Sequence, residues 1–273
     1  MDINRIINKL GITSYTSLEE VQGGKDCLVY KIRIPDGTNL ALRIQHAERY
    51  DQFLYEKNIK ELALESGIPV PIVYSVIVED SYAAMLMEWI KGVTVLQMLI
   101  EKPTVAHQLG AEFGKTHAKL HHITVPESLE IRTPNWLTPI GSEKKIIEEL
   151  PSAKECLIHL DFHPLNVLTD GSKITGVIDW TNVALGDPRF DYARTLSILQ
   201  IEGYRHFKDN LSLIKAFETG WRTGYESVDG SYNNLPAFFV WAGIRMQRDM
   251  GNSLSVEQEK DIKEWINSWG IHF

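Results

Sequence analysis

The segment LIHLDFHPLNVL, residues 157–168, places His159, Asp161, His163 and Asn166 in an otherwise apolar stretch. A plain core strand would not carry these side chains, because a polar group without a hydrogen-bond partner is costly to bury. The segment is therefore interpreted either as a metal site or as a catalytic loop flanked by buried strands.

A β-hairpin predicted just downstream adds a second carboxylate. NVLTD and KITGVID are predicted strands joined by the turn DGS, so that Asn166 starts one strand and Asp179 ends the other. Antiparallel pairing would place both near the open end of the hairpin, with Asp161 in the loop before it. Magnesium bound with a nucleotide needs few protein ligands, commonly one or two carboxylates beside phosphates and water. A hydroxyl nucleophile needs one further carboxylate to orient it and accept its proton.

The elements that must position these residues fall into two parts. The first part is rich in predicted strands, namely CLVYKIRI, NLALRI, VPIVYSVIVED and YAAMLMEWI, with one helix, YDQFLYEKNIKELALES, ending near Gly67. After the polar link KGVT, helices are predicted at 104–123 and near 190–201, 208–226, 235–249 and 256–268. Short strands at LIH and in the hairpin interrupt them. The pattern predicts an α+β, bilobal fold with an N-terminal lobe at 1–90 and a C-terminal lobe at 91–273.

The composition of the chain limits which binding partners and which cellular compartment are expected. The chain has 273 residues and a net charge of −8, which argues against nucleic acid or an anionic membrane as its main partner. The two cysteines, Cys27 and Cys156, do not form a disulfide framework, so a reducing compartment is expected. The apolar segments are too short or too broken by proline to span a bilayer. We predict a cytoplasmic protein.

The order H-x-D-x-x-x-x-N, followed by an aspartate at a strand end, is that of the protein-kinase catalytic apparatus. With HLDFHPLNVL, GVIDW and GDPRFDYA, the chain resembles the aminoglycoside phosphotransferase and choline-kinase-like family of small-molecule kinases, most strongly from about 156 to 194. The resemblance implies a protein-kinase-like fold with a small, mostly-β nucleotide-binding lobe and a larger, mostly-α catalytic lobe.

Roles in the catalytic loop follow from the same resemblance. It implies that Asp161 is the catalytic base and that Asn166 and Asp179 are the magnesium ligands. His159 would be a structural residue of the loop. Asp191, in GDPRFDYA, would brace the loop's backbone.

The resemblance also implies a nucleotide site in the first lobe. Gly23 and Gly24 of QGGKD would cover the phosphates, and Arg43 would reach them while Glu56 holds it in place. Arg43 departs from the usual lysine, and its fork-shaped guanidinium can bind phosphate oxygens with a different geometry. The hinge that binds the purine through backbone groups would be Glu88, Trp89 and Ile90.

The reaction implied is transfer of the γ-phosphoryl group of ATP or GTP, with Mg²⁺, to a hydroxyl of a small molecule. Aminoglycosides are the leading acceptor class, and choline or ethanolamine, homoserine, sugars and macrolides are the alternatives. A protein substrate is disfavoured, because VIDWTNVALGDPRFD leaves few residues where protein kinases carry a long activation segment. Candidate acceptor contacts in the C-terminal helices are Glu218, Trp221, Trp241 and Asp249.

A metallohydrolase is the sharpest alternative. His159, Asp161 and His163 alternate, so a strand would project all three from one face as metal ligands, with Asp179 completing the set. That hypothesis leaves Asn166 and the features of the first lobe unexplained.

Two further alternatives rest on other features. A kinase-fold binding module without turnover would be marked by loss of the base or the magnesium ligands, and neither is lost. His117 and His121 lie four residues apart on a predicted helix and could bind zinc, but they lack the H-E-x-x-H arrangement.

Overall fold

The computed structural model describes residues 1–21 and 27–270. The helices are α1 (Ile3–Lys9), α2 (Tyr50–Glu65), α3 (Val95–Glu101), α4 (Ala106–His121), α5 (Ser142–Glu148), α6 (Pro188–Ser197), α7 (Tyr204–His206), α8 (Leu211–Asp229), α9 (Leu235–Met250) and α10 (Val256–Ser268). The strands are β1 (Ser17–Val21), β2 (Leu28–Arg33), β3 (Asn39–His46), β4 (Val73–Glu79), β5 (Tyr82–Glu88), β6 (Val93–Thr94), β7 (Cys156–Ile158), β8 (Val167–Thr169), β9 (Ile174–Val177) and β10 (Ala184–Gly186). A π-helix, Ile198–Gly203, continues α6.

The chain divides into two compact units, one of residues 1–91 with 175–181 and one of residues 92–174 with 182–273. Segment 175–181 thus groups with the first unit, although the sequence-based division assigned everything after residue 90 to the second lobe. The reason is hydrogen bonding: Val177 N donates to Pro69 O at 2.8 Å, and Thr175 Oγ1 donates to Lys91 O at 3.1 Å. The lobe boundaries at 1–90 and 91–273 stay a prediction.

The first unit is built on an antiparallel sheet of order β1-β2-β3-β5-β4. Successive side chains of a strand point to opposite faces, and β5 shows the consequence. Leu86 belongs to a core cluster with Ile6 and Ile7 of α1, whereas Met85 belongs to a separate cluster with Phe53 of α2. The sheet therefore buries apolar side chains on both faces, and this fixes β3 and α2 relative to each other.

Close packing of α4 against α8 organises the second unit. Gly110 and Gly114 lie four residues apart on α4, and a β-carbon at either would collide with the α8 backbone. Gly220 and Gly224 on α8 meet the α4 backbone in the same way. Glycine at these positions lets the two helices approach closely, which brings the polar side chains of α4 against those of α8.

The predicted helices of the second unit correspond to α4, α6, α8, α9 and α10. The expected hairpin strands are β8 and β9, joined by a turn in which Asp170 Oδ1 accepts hydrogen bonds from Ser172 N and Lys173 N. Within residues 1–21 and 27–270, no helix is both long and apolar enough to cross a membrane.

Candidate active site

The loop after β7 carries the polar residues singled out in the sequence. β7 ends at Ile158, and Leu160 has φ 63°, in the left-handed region that an L-residue rarely adopts. His159, Asp161 and His163 therefore do not project from one strand face, which corrects the geometry that the metallohydrolase hypothesis requires. His159 is fully buried.

Asp191, in the first turn of α6, holds the backbone of this loop. Its carboxylate accepts hydrogen bonds from His159 N at 2.6 Å and from Leu160 N at 2.8 Å. Thr195, one turn later, donates its hydroxyl to Phe162 O at 2.8 Å. The unusual backbone conformation at Leu160 is thus maintained by contacts from α6.

Asp191 also faces two histidines of α4. His121 Nε2 lies 3.1 Å from Asp191 Oδ2, and its Nδ1 lies 2.5 Å from the hydroxyl of Tyr225. His117 Nε2 lies 3.3 Å from the same oxygen without the alignment of a hydrogen bond. The pKa of Asp191 is held well below its usual range: burial raises it, but His117 and His121 lower it by more. Burial lowers the pKa of His117 to about 4, so its ring is neutral at neutral pH.

A metal ion is a second possible partner for these side chains, because the ligand atoms of His117, His121 and Asp191 all lie within 4.8 Å of one another. However, both ring nitrogens of His121 have hydrogen-bond partners, and both oxygens of Asp191 accept from the loop backbone. Hydrogen bonds therefore account for His121 and Asp191, and a cation bound there would have to break them.

Asp161, Asn166 and His163 contact one another within the loop. Asn166 Nδ2 donates to Asp161 Oδ2 at 3.0 Å, and His163 Nε2 lies 3.3 Å from Asp161 Oδ1. His163 Nδ1 accepts from Leu165 N at 3.3 Å, and its Nε2 also lies 3.2 Å from Asn166 Nδ2.

These surroundings keep Asp161 ionised. Burial raises its pKa, but the hydrogen bond and charge of His163, together with His159 and Arg194, lower it by more, so that the pKa is below the ordinary value. The carboxylate can therefore accept a hydrogen bond or a proton at neutral pH.

Within the first unit, Arg43 on β3 is paired with Glu56 on α2. Arg43 Nη1 lies 2.5 Å from Glu56 Oε2, and the Glu56 side chain is fully buried. Lys60, one helical turn later and 2% exposed, places its ammonium 3.2 Å from the same oxygen. Burial raises the pKa of Glu56, but Lys60 and Arg43 lower it by more. Lys60 was not predicted as a site residue, although its i,i+4 spacing from Glu56 was a signal.

Asp179 lies two residues beyond β9, with φ 58°. The next residue, Trp180, is buried and donates its indole N–H to Val177 O at 2.9 Å. Thr181 donates its hydroxyl to Asp179 Oδ1 at 2.8 Å, and the same hydroxyl oxygen lies 3.4 Å from Glu56 Oε1. No feature of the sequence singles out Thr181.

The predicted hinge follows β5. Glu88 N donates to Ile72 O at 2.8 Å, which fixes the end of the strand. The ring of Trp89 lies under the ammonium of Lys31 at 4.9 Å, and Ile90 packs against Gly176. Gly23 and Gly24, predicted to cover the phosphates, lie outside the described residues.

Two of the four candidate acceptor contacts, Trp221 and Trp241, lie in the core. Trp221 and Trp241 are 0% exposed, so they are core residues of the helical unit, which corrects the prediction that they contact the acceptor. Glu218 is nearly buried, and its carboxylate already accepts hydrogen bonds from Gln200, Tyr204 and Arg222. Asp249 is one-third exposed.

Asp249 is nevertheless not a free carboxylate. It lies 3.4 Å from Arg194 Nη2 and also pairs with Arg245. The two guanidinium groups offset its negative charge. A polycationic acceptor would therefore have to compete with them for this residue.

The sequence profile of the phosphotransferase enzyme family matches residues 17–141 and 141–230. Over 46 residues the chain is 44% identical to hygromycin-B 4-O-kinase of Escherichia coli, a stretch that covers 17% of this chain and only 13% of that relative.

Similar solved structures cover almost the whole chain. A thermostable mutant of aminoglycoside phosphotransferase APH(4)-Ia, in complex with AMP-PNP and hygromycin B, has a TM-score of 0.66 at 15% identity, with 99% of each chain covered. The GDP and kanamycin complex of APH(2'')-IIia has a TM-score of 0.62 at 14% identity, with 98% of this chain and 96% of that chain covered. Macrolide 2'-phosphotransferase MphH of Brachybacterium faecium has a TM-score of 0.56 at 16% identity, with 98% of each chain covered.

Identities this low establish the fold alone, whereas the family profile spans well over half of the sequence. The antiparallel sheet of the first unit and the helices of the second agree with that fold. The chain belongs to the phosphotransferase enzyme family and has the protein-kinase-like fold of the aminoglycoside kinases.

Proposed function

We propose that the protein transfers the γ-phosphoryl group of ATP or GTP to a hydroxyl of a small molecule. The observation that carries the proposal is the arrangement around Asp161, whose carboxylate accepts from Asn166 Nδ2 and lies 3.3 Å from His163 Nε2, in a loop that Asp191 braces. The acceptor oxygen attacks the γ-phosphorus, the bond from that phosphorus to the β,γ-bridging oxygen breaks, and the nucleoside diphosphate leaves with the electron pair. The hydroxyl proton goes to Asp161.

The lowered pKa of Asp161 defines how it would act. A base works best when its pKa is near the operating pH, and the pKa of Asp161 is lower than that. Its main contribution would be to hold the hydroxyl in line, with the proton transferred late in a loose transition state.

Asn166 and Asp179 would hold the magnesium ion. Both side chains offer oxygen atoms, the ligands that Mg²⁺ prefers, and in this structure Thr181 donates its hydroxyl to Asp179 Oδ1. Magnesium bound there would offset the negative charge of the phosphates. Arg43 would orient the phosphates, with its guanidinium held by Glu56.

Substitution of Asp179 should affect nucleotide binding as well as turnover. We expect Asp179→Ala to lose most of the tightening of nucleotide binding that Mg²⁺ produces in the wild-type protein, because one charged ligand is removed. Calorimetric titration of ATP with Mg²⁺ and with EDTA measures this. Equal tightening in the variant and the wild type would refute the ligand role.

The Arg43–Glu56 pair should behave as one unit. We expect Arg43→Ala to raise the nucleotide KM or reduce kcat, Glu56→Ala to give a milder defect, and the two changes to be non-additive because they share one interaction. Arg43→Lys should retain substantial activity, because a compact ammonium replaces the guanidinium.

A double-mutant cycle on kcat/KM for nucleotide tests this pairing. The contrary outcome is negligible single effects that add fully, with stability changes within about 0.5 kcal/mol. That outcome would mean that Arg43 takes no part in nucleotide binding.

We further propose an aminoglycoside-type acceptor, supported by the similarity to the kinases of hygromycin B and kanamycin. The similarity to a macrolide 2'-phosphotransferase makes macrolides the second candidate. Choline, ethanolamine, homoserine and sugars complete the set of acceptors to be screened, each with ATP and with GTP. A phosphorylated macrolide with untouched aminoglycosides would reverse the order of the two candidates.

A further inference from the structure

Glu56 is a buried carboxylate whose two oxygens have unequal surroundings. Oε2 lies 2.5 Å from Arg43 Nη1 and 3.2 Å from Lys60 Nζ, so two cations share one oxygen. Among the described residues, the contacts of Oε1 are long: 3.5 Å to Arg43 Nη2 and 3.4 Å to Thr181 Oγ1. A buried carboxylate oxygen is stabilised by a close donor, and the Thr181 hydroxyl is placed to become one.

The Thr181 hydroxyl lies between two carboxylates and has one proton to donate. At 2.8 Å from Asp179 Oδ1 and 3.4 Å from Glu56 Oε1, it donates to Asp179 in this structure. A hydroxyl proton can turn about the Cβ–Oγ bond without movement of the carbon skeleton. The proton can therefore be given to either carboxylate, but not to both at once.

We propose that Thr181 is a positioning residue that couples Asp179 to the Arg43–Glu56 pair, an inference that rests on the proposed function. When the Asp179 oxygens bind a cation, Thr181 no longer donates to them, and its proton turns to Glu56 Oε1. That hydrogen bond fixes the Glu56 carboxylate with Oε2 toward Arg43. Occupation of Asp179 and orientation of Arg43 then reinforce each other, as linkage requires of any two coupled sites.

The charged side chains around Glu56 are consistent with such coupling. Glu56 pairs with both Arg43 and Lys60, and the Asp179 carboxylate also acts on Lys60. Lys60 is buried, burial lowers its pKa, and the charges of Glu56 and Asp179 act to raise it. A change in the charge at Asp179 therefore affects Glu56 through Lys60 as well as through Thr181.

The test compares Thr181→Val, which removes the hydroxyl at nearly constant shape, with Thr181→Ser, which keeps it. Thr181 is an exposed residue, so the valine variant should lose little core packing. Thr175→Val is a matched control, because Thr175 lies in the same unit and its hydroxyl donates a hydrogen bond to Lys91 O and not to a carboxylate. The quantity measured is the ratio of the ATP Kd in EDTA to the ATP Kd in Mg²⁺, with melting of the free protein as a separate measure of stability.

We expect Thr181→Val to reduce this ratio about tenfold, which corresponds to about 1.4 kcal/mol of lost coupling. Thr181→Ser and Thr175→Val should stay within about twofold of the wild type. A Thr181→Val ratio equal to that of the wild type would overturn the inference and leave the proposed function intact. A wild-type protein that binds no nucleotide would contradict the proposed function, and with it the inference.

Discussion

Replacing Asp161 by asparagine should reduce phosphoryl transfer by about 10²- to 10⁴-fold, the usual contribution of a general base. Asparagine keeps the shape of the side chain but cannot accept the hydroxyl proton. Nucleotide binding should be nearly unchanged, because Asp161 is proposed to contact the acceptor and not the donor. Rates from single-turnover assays and calorimetric Kd values for ATP measure the two effects separately.

A surface carboxylate provides the control for this substitution. Asp209 is exposed in the 3₁₀ helix Lys208–Asn210, and Asp209→Asn removes a similar negative charge at a distance in sequence from the loop. Its rate should equal that of the wild type. An Asp161→Asn enzyme within a few-fold of that rate would refute Asp161 as the base.

Asp191→Ala should produce the largest loss of stability. The change leaves His159 N and Leu160 N without their acceptor and removes the carboxylate that faces His121. Breaking a buried charged interaction costs about 3–5 kcal/mol, which corresponds to a fall in melting temperature on the order of 10 °C. Thermal unfolding followed by circular dichroism measures it.

The companion variant Asp191→Asn separates stability from catalysis. Its amide can accept from the loop through one oxygen only, so we expect a smaller loss of stability than in Asp191→Ala. Turnover should still fall, because the loop that carries Asp161 is held through both oxygens. A melting temperature for Asp191→Ala close to that of the wild type would contradict the role of Asp191 as a brace.

Local signals in the sequence were sufficient for much of the fold. The apolar spacing of α4, α8 and α10 and the turn residues between β8 and β9 act within a few positions of one another, so the elements could be predicted from short segments. The pairing of Arg43 with Glu56 was reached through resemblance to a family, and the structure places their side chains 2.5 Å apart.

Contacts made by distant segments could not be predicted in the same way. Thr181 meets Glu56 although 125 positions separate them, and nothing in the segment DWTNV indicates this contact. Trp221 and Trp241 are predicted acceptor contacts only from their place in the C-terminal helices. Their burial follows from helix packing in three dimensions, which no local pattern of residues reports.

The central claim is most directly tested by mass spectrometry of the acceptor panel after incubation with the protein, Mg²⁺ and either ATP or GTP. We expect at least one hydroxyl compound to gain a single phosphoryl group with the wild-type protein and none to do so when Mg²⁺ is chelated. When Asp161 is replaced by asparagine, we expect the product to form about 10²- to 10⁴-fold more slowly. Product that forms equally well in the Asp161→Asn variant would contradict the account, as would a protein that carries stoichiometric zinc and hydrolyses its substrates without nucleotide.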